Sequence, residues 1–192
     1  MERLTDLLKE AFQNLSGKTL DGNYTTIDEL IIDLNNKYVC EVTFSKTPAD
    51  ATIVVKQGTT VIAADASGKY HLKEGTYTYD ASAPHYTSKT SQSLTITNSD
   101  EETGSKTVNV SLDRSECEVT FSTTPENATI VVKNSSSETV TPVSGKYYLV
   151  AGSYTYTASA EGYTTQENQS LTIASGDVTT GTKTVSVTLV EA

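Results

Sequence analysis

The sequence predicts a mainly β protein, with two tandem β-sandwich domains behind a short N-terminal α-helical leader. Three observations carry this prediction. A long stretch returns at an offset of 77 residues, from Cys40–Lys56 to Cys117–Lys133. Apolar and polar residues alternate within each copy, as in half-buried strands, whereas the residues before the first copy have helical spacing. About 41 of 75 aligned positions are identical without a gap, which is typical of a duplicated structural unit.

The composition argues against two classes of partner. The chain has 192 residues and a formal net charge of −10, which disfavours binding to nucleic acid or to an anionic bilayer. No run approaches the roughly 18 apolar residues of a membrane span. Charged residues at Glu2, Asp6 and Lys9 interrupt the start, so we expect no signal peptide in the chain as written. The sequence therefore predicts no nucleic-acid binding and no membrane insertion. It also predicts that the protein is present first in the cytoplasm.

The leader, residues 1–37, reads as two short helices. Apolar residues recur at helical spacing over residues 2–15, and Thr26 and Glu29 form a capping box that begins a second helix. Packing against the first β domain would cover these apolar faces, and so would self-association, because two short helices bury little of their own surface. The residues of this candidate assembly interface are Leu4, Leu7, Leu8, Phe12, Ile27, Leu30, Ile31 and Leu34.

Each repeat reads as a sandwich of about six or seven short strands. Its first strand places Cys40, Val42 and Phe44 on one face, and turn residues separate the later strands. We expect the acidic stretch from Asn98 to Gly104 to be a solvated loop. The predicted domains are residues 1–37 for the leader, 38–114 for the first repeat and 115–192 for the second.

The two cysteines, Cys40 and Cys117, occupy the same place in each repeat, on the strand face that should be buried. A disulfide between them is not expected, because a unit of this size is roughly 30 Å across and a bridge needs Cα atoms within about 7 Å. We interpret both as small core residues.

A family resemblance rests on the turn after the first strand and on a later strand. Residues 48–51 read PADA, residues 125–128 read PENA, and residues 152–163 read GSYTYTASAEGY. This pattern resembles the PEGA domain, a small immunoglobulin-like bacterial β-sandwich, over both repeats. Asp50 and Asn127 stand where the family has glycine, so we expect positive φ there without glycine. The resemblance implies an accessory domain for adhesion, spacing or sugar contact, without activity of its own.

The leader carries a second resemblance. Its amphipathic helix and the stretch GKTLDGNYTTIDELIIDLN, residues 17–35, look like the helical leaders of phage tail and head-fibre proteins. This resemblance implies that the leader assembles or docks on a virion.

Candidate chemistry is sparse. His71 and His85 lie in different elements without a second metal ligand nearby, so no metal site or cofactor is predicted. The acidic run at residues 100–102 loses two carboxylates in the second copy, which favours a solvated loop over a calcium site. Pairs of tyrosines share one strand face, where an exposed stack could hold a sugar but core packing is the stronger interpretation. These weak ligand-binding candidates are Tyr77, Tyr79, Tyr154 and Tyr156.

The function that this sequence predicts is structural and non-enzymatic. The main interpretation is a phage virion component, such as a head or tail fibre or decoration subunit, assembled in the host cytoplasm. Its partners would be itself or other virion proteins through the leader, and bacterial surface glycans through the sandwiches. The alternative is a bacterial cell-envelope adhesin or surface spacer, which would need an export route.

Overall fold

The computed structural model describes residues 2–16, 26–31 and 38–192. The leader contributes helix α1 (Glu2–Ser16) and helix α2, described over residues 27–31. The capping box predicted for α2 is confirmed. The Thr26 N–H donates to Glu29 Oε2 and the Glu29 N–H donates to Thr26 Oγ1, both at 3.2 Å.

The first repeat forms two sheets with the strand orders β4-β1-β7 and β3-β2-β5-β6. Its elements are β1 (Cys40–Thr47), β2 (Thr52–Gln57), β3 (Thr60–Ile62), β4 (Tyr70–Leu72), β5 (Gly75–Ser82), β6 (Lys89–Ile96), α3 (Asn98–Thr103) and β7 (Ser105–Ser111).

The second repeat forms two sheets in the equivalent orders, β11-β8-β14 and β10-β9-β12-β13. Its elements are β8 (Cys117–Thr124), β9 (Thr129–Lys133), β10 (Thr139–Val140), β11 (Tyr147–Leu149), β12 (Gly152–Ser159), β13 (Gln166–Ile173), α4 (Ser175–Thr180) and β14 (Thr182–Thr188). The predicted fold class, mainly β with two β-sandwich domains and a short N-terminal helix, is confirmed.

Contacts divide the chain into two compact units, which do not coincide with the predicted domain boundaries. The first unit comprises the described part of Met1–Ala49 with Ile53–Ala81 and Thr90–Val110. The second unit comprises Asp50–Thr52, Ser82–Lys89 and Ser111–Ala192. The boundaries at residues 37 and 114 stay predictions.

The first strand of each repeat follows the predicted alternation. Cys40, Val42, Cys117 and Val119 have no exposed surface, and β1 and β8 have the same pattern of burial along their length. Both cysteines are free and buried. The interpretation of the two thiols as core residues is therefore confirmed.

The stretch predicted as an acidic loop is helix α3, so that prediction was wrong. Thr97 caps the helix: its side chain accepts from the Asp100 N–H, and Asp100 Oδ2 accepts from the Thr97 N–H at 2.9 Å. Gly104 ends the helix in the left-handed region, with φ of 77°. These caps satisfy end groups that a helix of only six residues cannot satisfy by itself.

The turns after β1 and β8 also differ from expectation. Both contain a cis peptide bond, at Thr47–Pro48 and Thr124–Pro125. Neither Asp50 nor Asn127 has positive φ, so the expectation of a left-handed residue there was wrong. In the second repeat the Ala128 N–H donates to the Pro125 carbonyl at 3.2 Å, which closes a four-residue turn. Such a turn accommodates central residues with ordinary negative φ.

The first and last strands of the second repeat are neighbours and run parallel. Seven positions pair, from Glu118 with Thr182 to Thr124 with Thr188. The Glu118 N–H donates to the Gly181 carbonyl at 2.9 Å at one end, and the Leu189 N–H donates to the Thr124 carbonyl at 2.8 Å at the other. In the first repeat, β7 likewise lies beside β1. The chain thus enters and leaves the second repeat at opposite ends of one strand pair.

We expect Cys40 and Cys117 to react slowly with a bulky thiol reagent under native conditions. Burial removes access and also raises the pKa of both thiols, so little thiolate is present at neutral pH. Labelling followed by mass spectrometry checks this, with denatured protein as the control for full reactivity. Prompt native labelling of either thiol would contradict the placement of its strand.

Candidate functional site

The candidate assembly surface lies on α1, and the structure places its leucines toward solvent. Leu4, Leu7 and Leu8 are 50%, 57% and 41% exposed, and they form what we name the leucine face. The adjoining side of the helix turns inward, with Thr5 1% exposed and Phe12 half-buried. The leader therefore leaves three leucines of its apolar stripe open, while Phe12 of the same stripe packs inward.

Helix α2 contributes one buried residue, Leu30, to a small apolar cluster. Leu30 is buried and packs with Tyr38 and Phe12, whose rings lie 5.7 Å apart between centroids. Ile27 is half-buried, and Ile31 is 48% exposed. Leu34 lies outside the described residues. Of the predicted interface residues, Leu30 and Phe12 thus belong to a small internal cluster, while Ile31 and the leucine face remain open.

Exposed leucines on one helix face can bind another apolar surface. Asp6, Lys9 and Glu10 are spread along the same helix, so the charges around the leucine face have mixed signs. The 15-residue helix is about 22 Å long. One such face offers little area compared with the roughly 800 Å² that each partner buries in a stable pairwise interface. Association would therefore use Ile31 as well, or more than two chains.

The tyrosines considered for sugar binding lie in or against the cores. Tyr77 and Tyr79 are buried, and the Tyr77 hydroxyl donates to the Lys73 carbonyl at 2.9 Å. Tyr154 and Tyr156 are half-buried, and the Tyr156 ring packs edge-on against another ring. Burial raises the pKa of the Tyr77 and Tyr154 hydroxyls. The first pair offers no exposed stack for a sugar ring.

The two histidines take different structural roles. His71 Nε2 lies 3.0 Å from Asp65 Oδ2 on an exposed surface of the first unit. His85, within the second unit, has Nδ1 2.6 Å from Glu116 Oε2 and stacks on the Tyr148 ring, with centroids 3.7 Å apart. His85 has φ of 66°, in the left-handed region, like Gly162 at the corresponding position of the second repeat with φ of 79°. Tyr148 and Glu116 had no part in the sequence interpretation, because nothing along the chain pairs them with His85.

Two acidic residues of α3, Asp100 and Glu101, form hydrogen bonds within the protein. Asp100 Oδ2 accepts from Lys106 Nζ at 2.7 Å, and this bond with the Thr97 cap lowers the pKa of Asp100 to about 2. Glu101 is buried, and its Oε1 accepts from the Glu74 N–H. Within the described ranges, no group of three or more His, Cys, Asp or Glu side chains is placed to hold a metal ion. No helix in the same ranges is long and apolar enough to cross a membrane.

Comparisons with known proteins give weak likenesses. No family model matches the chain, and no curated protein does. Among solved structures, the chain is similar to the Bacillus anthracis TIE protein at 13% identity and a TM-score of 0.34, covering 80% of this chain and 34% of that one. It is similar to the pilus adhesin SpaC from Lactobacillus rhamnosus GG in its open conformation, at 13% identity, a TM-score of 0.36, and 91% and 35% coverage.

A third similar structure is a mutant of the shaft pilin SpaA from Lactobacillus rhamnosus GG. The identity is 11%, the TM-score is 0.39, and the match covers 80% of this chain and 98% of the pilin. The chain spans about a third of the length of the TIE and SpaC chains. At these scores the likenesses do not decide the function, and the PEGA and phage resemblances stay resemblances.

Replacing Lys106 with Met should raise the pKa of Asp100 from about 2 toward its ordinary 3.8. The lowered pKa means that Asp100 stabilises the fold fully above about pH 4 and that this contribution is lost as the pH falls toward 2. The variant should therefore be less stable than the wild type at neutral pH. Its stability should also fall less than that of the wild type when the pH is lowered from 4 to 2. Carboxyl NMR titration measures the pKa, and Lys183→Met beside Asp177 is the matched change in the second repeat. An Asp100 pKa still near 2 in Lys106→Met would assign the shift to the Thr97 cap.

Proposed function

We propose that this chain is a non-enzymatic structural protein of a bacterial cell surface, a spacer whose β-sandwich modules bear tension between an anchor and a contact. The observation that carries the proposal is the parallel pairing of β8 with β14 in the second repeat. A spacer on a surface is pulled from its two ends. Its resistance therefore depends on the directions in which the first and last strands of a module run.

The β8–β14 pair is loaded in shear by such a pull. Force at the start of β8 and force at the end of β14 act in opposite directions along two parallel strands. The inter-strand hydrogen bonds cross the direction of pull, so they must yield together rather than one after another. The bonds at both ends, Glu118 N–H to Gly181 C=O and Leu189 N–H to Thr124 C=O, extend this ladder beyond the paired positions.

The buried thiols do not conflict with this proposal. Cys40 and Cys117 have no exposed surface, and the thiolate is the form that oxidants attack. Burial raises the pKa of both thiols and so disfavours that form. Two thiols protected in this way would also stay reduced outside the cytoplasm, although disulfides are the commoner state of cysteines there.

Pulling the full chain from its two ends should unfold the second repeat at a high force in single-molecule experiments. The control is the same protein held through Ser122→Cys and Ser186→Cys, two exposed positions that are paired across the ladder. A pull across this pair separates the strands one bond at a time, so the unfolding force should be clearly lower. Both measurements are made on the same folded domain, so they differ only in the direction of the applied force. Equal forces in the two directions would remove the basis for a load-bearing role.

The virion component is the second candidate, and the leucine face is the observation that favours it. Leu4, Leu7 and Leu8 leave an apolar surface open in the single chain. A subunit that assembles on a particle would cover such a surface with its neighbours. Self-association through the leader is compatible with both candidates, because surface spacers also gain from multivalent contact.

Replacing Leu8 and Ile31 with Asp should convert an associated protein into monomers with intact sandwiches. Charges at these exposed positions oppose apolar association but disturb little inside one chain, since both side chains are 41% or more exposed. Sedimentation velocity measures the mass, and far-ultraviolet circular dichroism checks the fold. Val61→Asp is the matched control, because Val61 is an exposed apolar residue on β3 outside the leader. A wild-type protein that is monomeric at all concentrations would contradict assembly through the leader.

A further inference from the structure

An opening of about 270 Å³ lies between the two sheets of the second repeat. Its lining combines polar and apolar groups, and its apolar side chains come from both sheets: Phe121 and Tyr147 from one, Ile130 from the other. Two edge-on ring contacts, Phe121 with Tyr147 at 5.7 Å and Phe121 with Tyr156 at 5.1 Å, hold the aromatic wall in place. The Tyr147 hydroxyl donates to the Ile130 carbonyl at 2.9 Å and so joins the two walls.

One charged side chain lines this opening. Glu126 is exposed, and within the described part of the chain no basic side chain forms an ion pair with it. Thr123 also lines the opening, and its hydroxyl donates to the Glu126 carbonyl at 3.3 Å. The site is thus a slot that combines an aromatic and aliphatic wall with a single acidic residue, an arrangement that fits a ligand with an apolar stem and a cationic end.

The first repeat is an internal comparison for this slot. Its aromatic wall is the same: Phe44 lies 5.6 Å from Tyr70 and 5.2 Å from Tyr79, and the Tyr70 hydroxyl donates to the Ile53 carbonyl at 3.0 Å. The two copies can therefore be compared position by position at an offset of 77 residues.

The copies differ at the mouth of the slot. Thr123 corresponds to Lys46, and Glu126 corresponds to Ala49. Lys46 follows Phe44 on the same, inward side of β1 and is half-buried, as Thr123 is on β8. The first repeat thus has a long lysine side chain where the second repeat has a short threonine. It also has an alanine where the second repeat has an acidic residue.

We propose that the slot of the second repeat binds a lysine side chain of a basic partner polypeptide. The four-carbon stem would lie along Phe121 and Ile130, as long cationic side chains do on apolar surfaces, and the ammonium would meet Glu126. The volume is slightly below the roughly 300 Å³ where small-molecule pockets begin, which suits one side chain. The chain carries a net charge of −10, which attracts a basic partner.

This inference goes beyond the load-bearing role and does not rest on it. The probe is Nα-acetyl-lysine amide, added to the full-length protein and followed by backbone amide NMR. We expect saturable shifts at residues around Thr123 and Glu126, with a dissociation constant in the millimolar range for so small a ligand. Nα-acetyl-norleucine amide, which has the stem without the ammonium, is the matched probe and should bind more weakly. No shifts with lysine, or equal binding of norleucine, would overturn the proposal.

Variants then locate the site. Thr123→Lys copies the first repeat, so it should fold and abolish binding by filling the slot. Glu126→Gln keeps the exposed shape and should weaken binding by about two- to fivefold, the range for an exposed ion pair. The double change Lys46→Thr with Ala49→Glu should open a second site and double the stoichiometry. Wild-type binding in Thr123→Lys would place the lysine elsewhere, and no second site in the double variant would show that Lys46 does not fill the first slot.

Discussion

Burial of alternate side chains along one central strand holds each repeat together. In the second repeat, Cys117 and Val119 have no exposed surface, and β8 is bonded to β11 on one side and to β14 on the other. Burying an aliphatic side chain of this kind stabilises the fold by about 1.5–3 kcal/mol. A shift of the strand by one residue would turn this whole set toward solvent, so the alternation fixes the register of both neighbours.

The short helix before the last strand belongs to the same arrangement. Gly181 ends α4 with φ of 87°, and its carbonyl accepts the Glu118 N–H that begins the β8–β14 ladder. A side chain at this position would meet Arg114, since a Cβ built on Gly181 lies 2.5 Å from Arg114 Nε. The left-handed turn therefore favours glycine, and any larger residue would also displace the flexible Arg114 side chain. The cap of a six-residue helix thus sets where the parallel ladder starts.

The sequence was informative where a pattern repeats over several residues, and less so where a single contact decides. Alternation and duplication predicted the sandwiches and the buried thiols. Helix α3 was missed because six residues are too few to show a helical period, and its caps are side-chain contacts. The apolar stripe of α1 was found, but its direction depends on Phe12 packing with Tyr38. That contact joins distant parts of the chain and leaves no periodic signal.

The differences between the two copies carry information that their identities do not. The buried hydrophobic positions of the second repeat are all buried in the first as well, because both must form the same core. His85 stacks on Tyr148 and contacts Glu116, yet the residues at the corresponding positions are Gly162, His71 and Val39. Three substitutions meet at one place in the second unit and form a contact that the duplication did not supply. Whatever distinguishes one repeat from the other in function should therefore be sought at such unshared positions, while the shared core accounts for the fold alone.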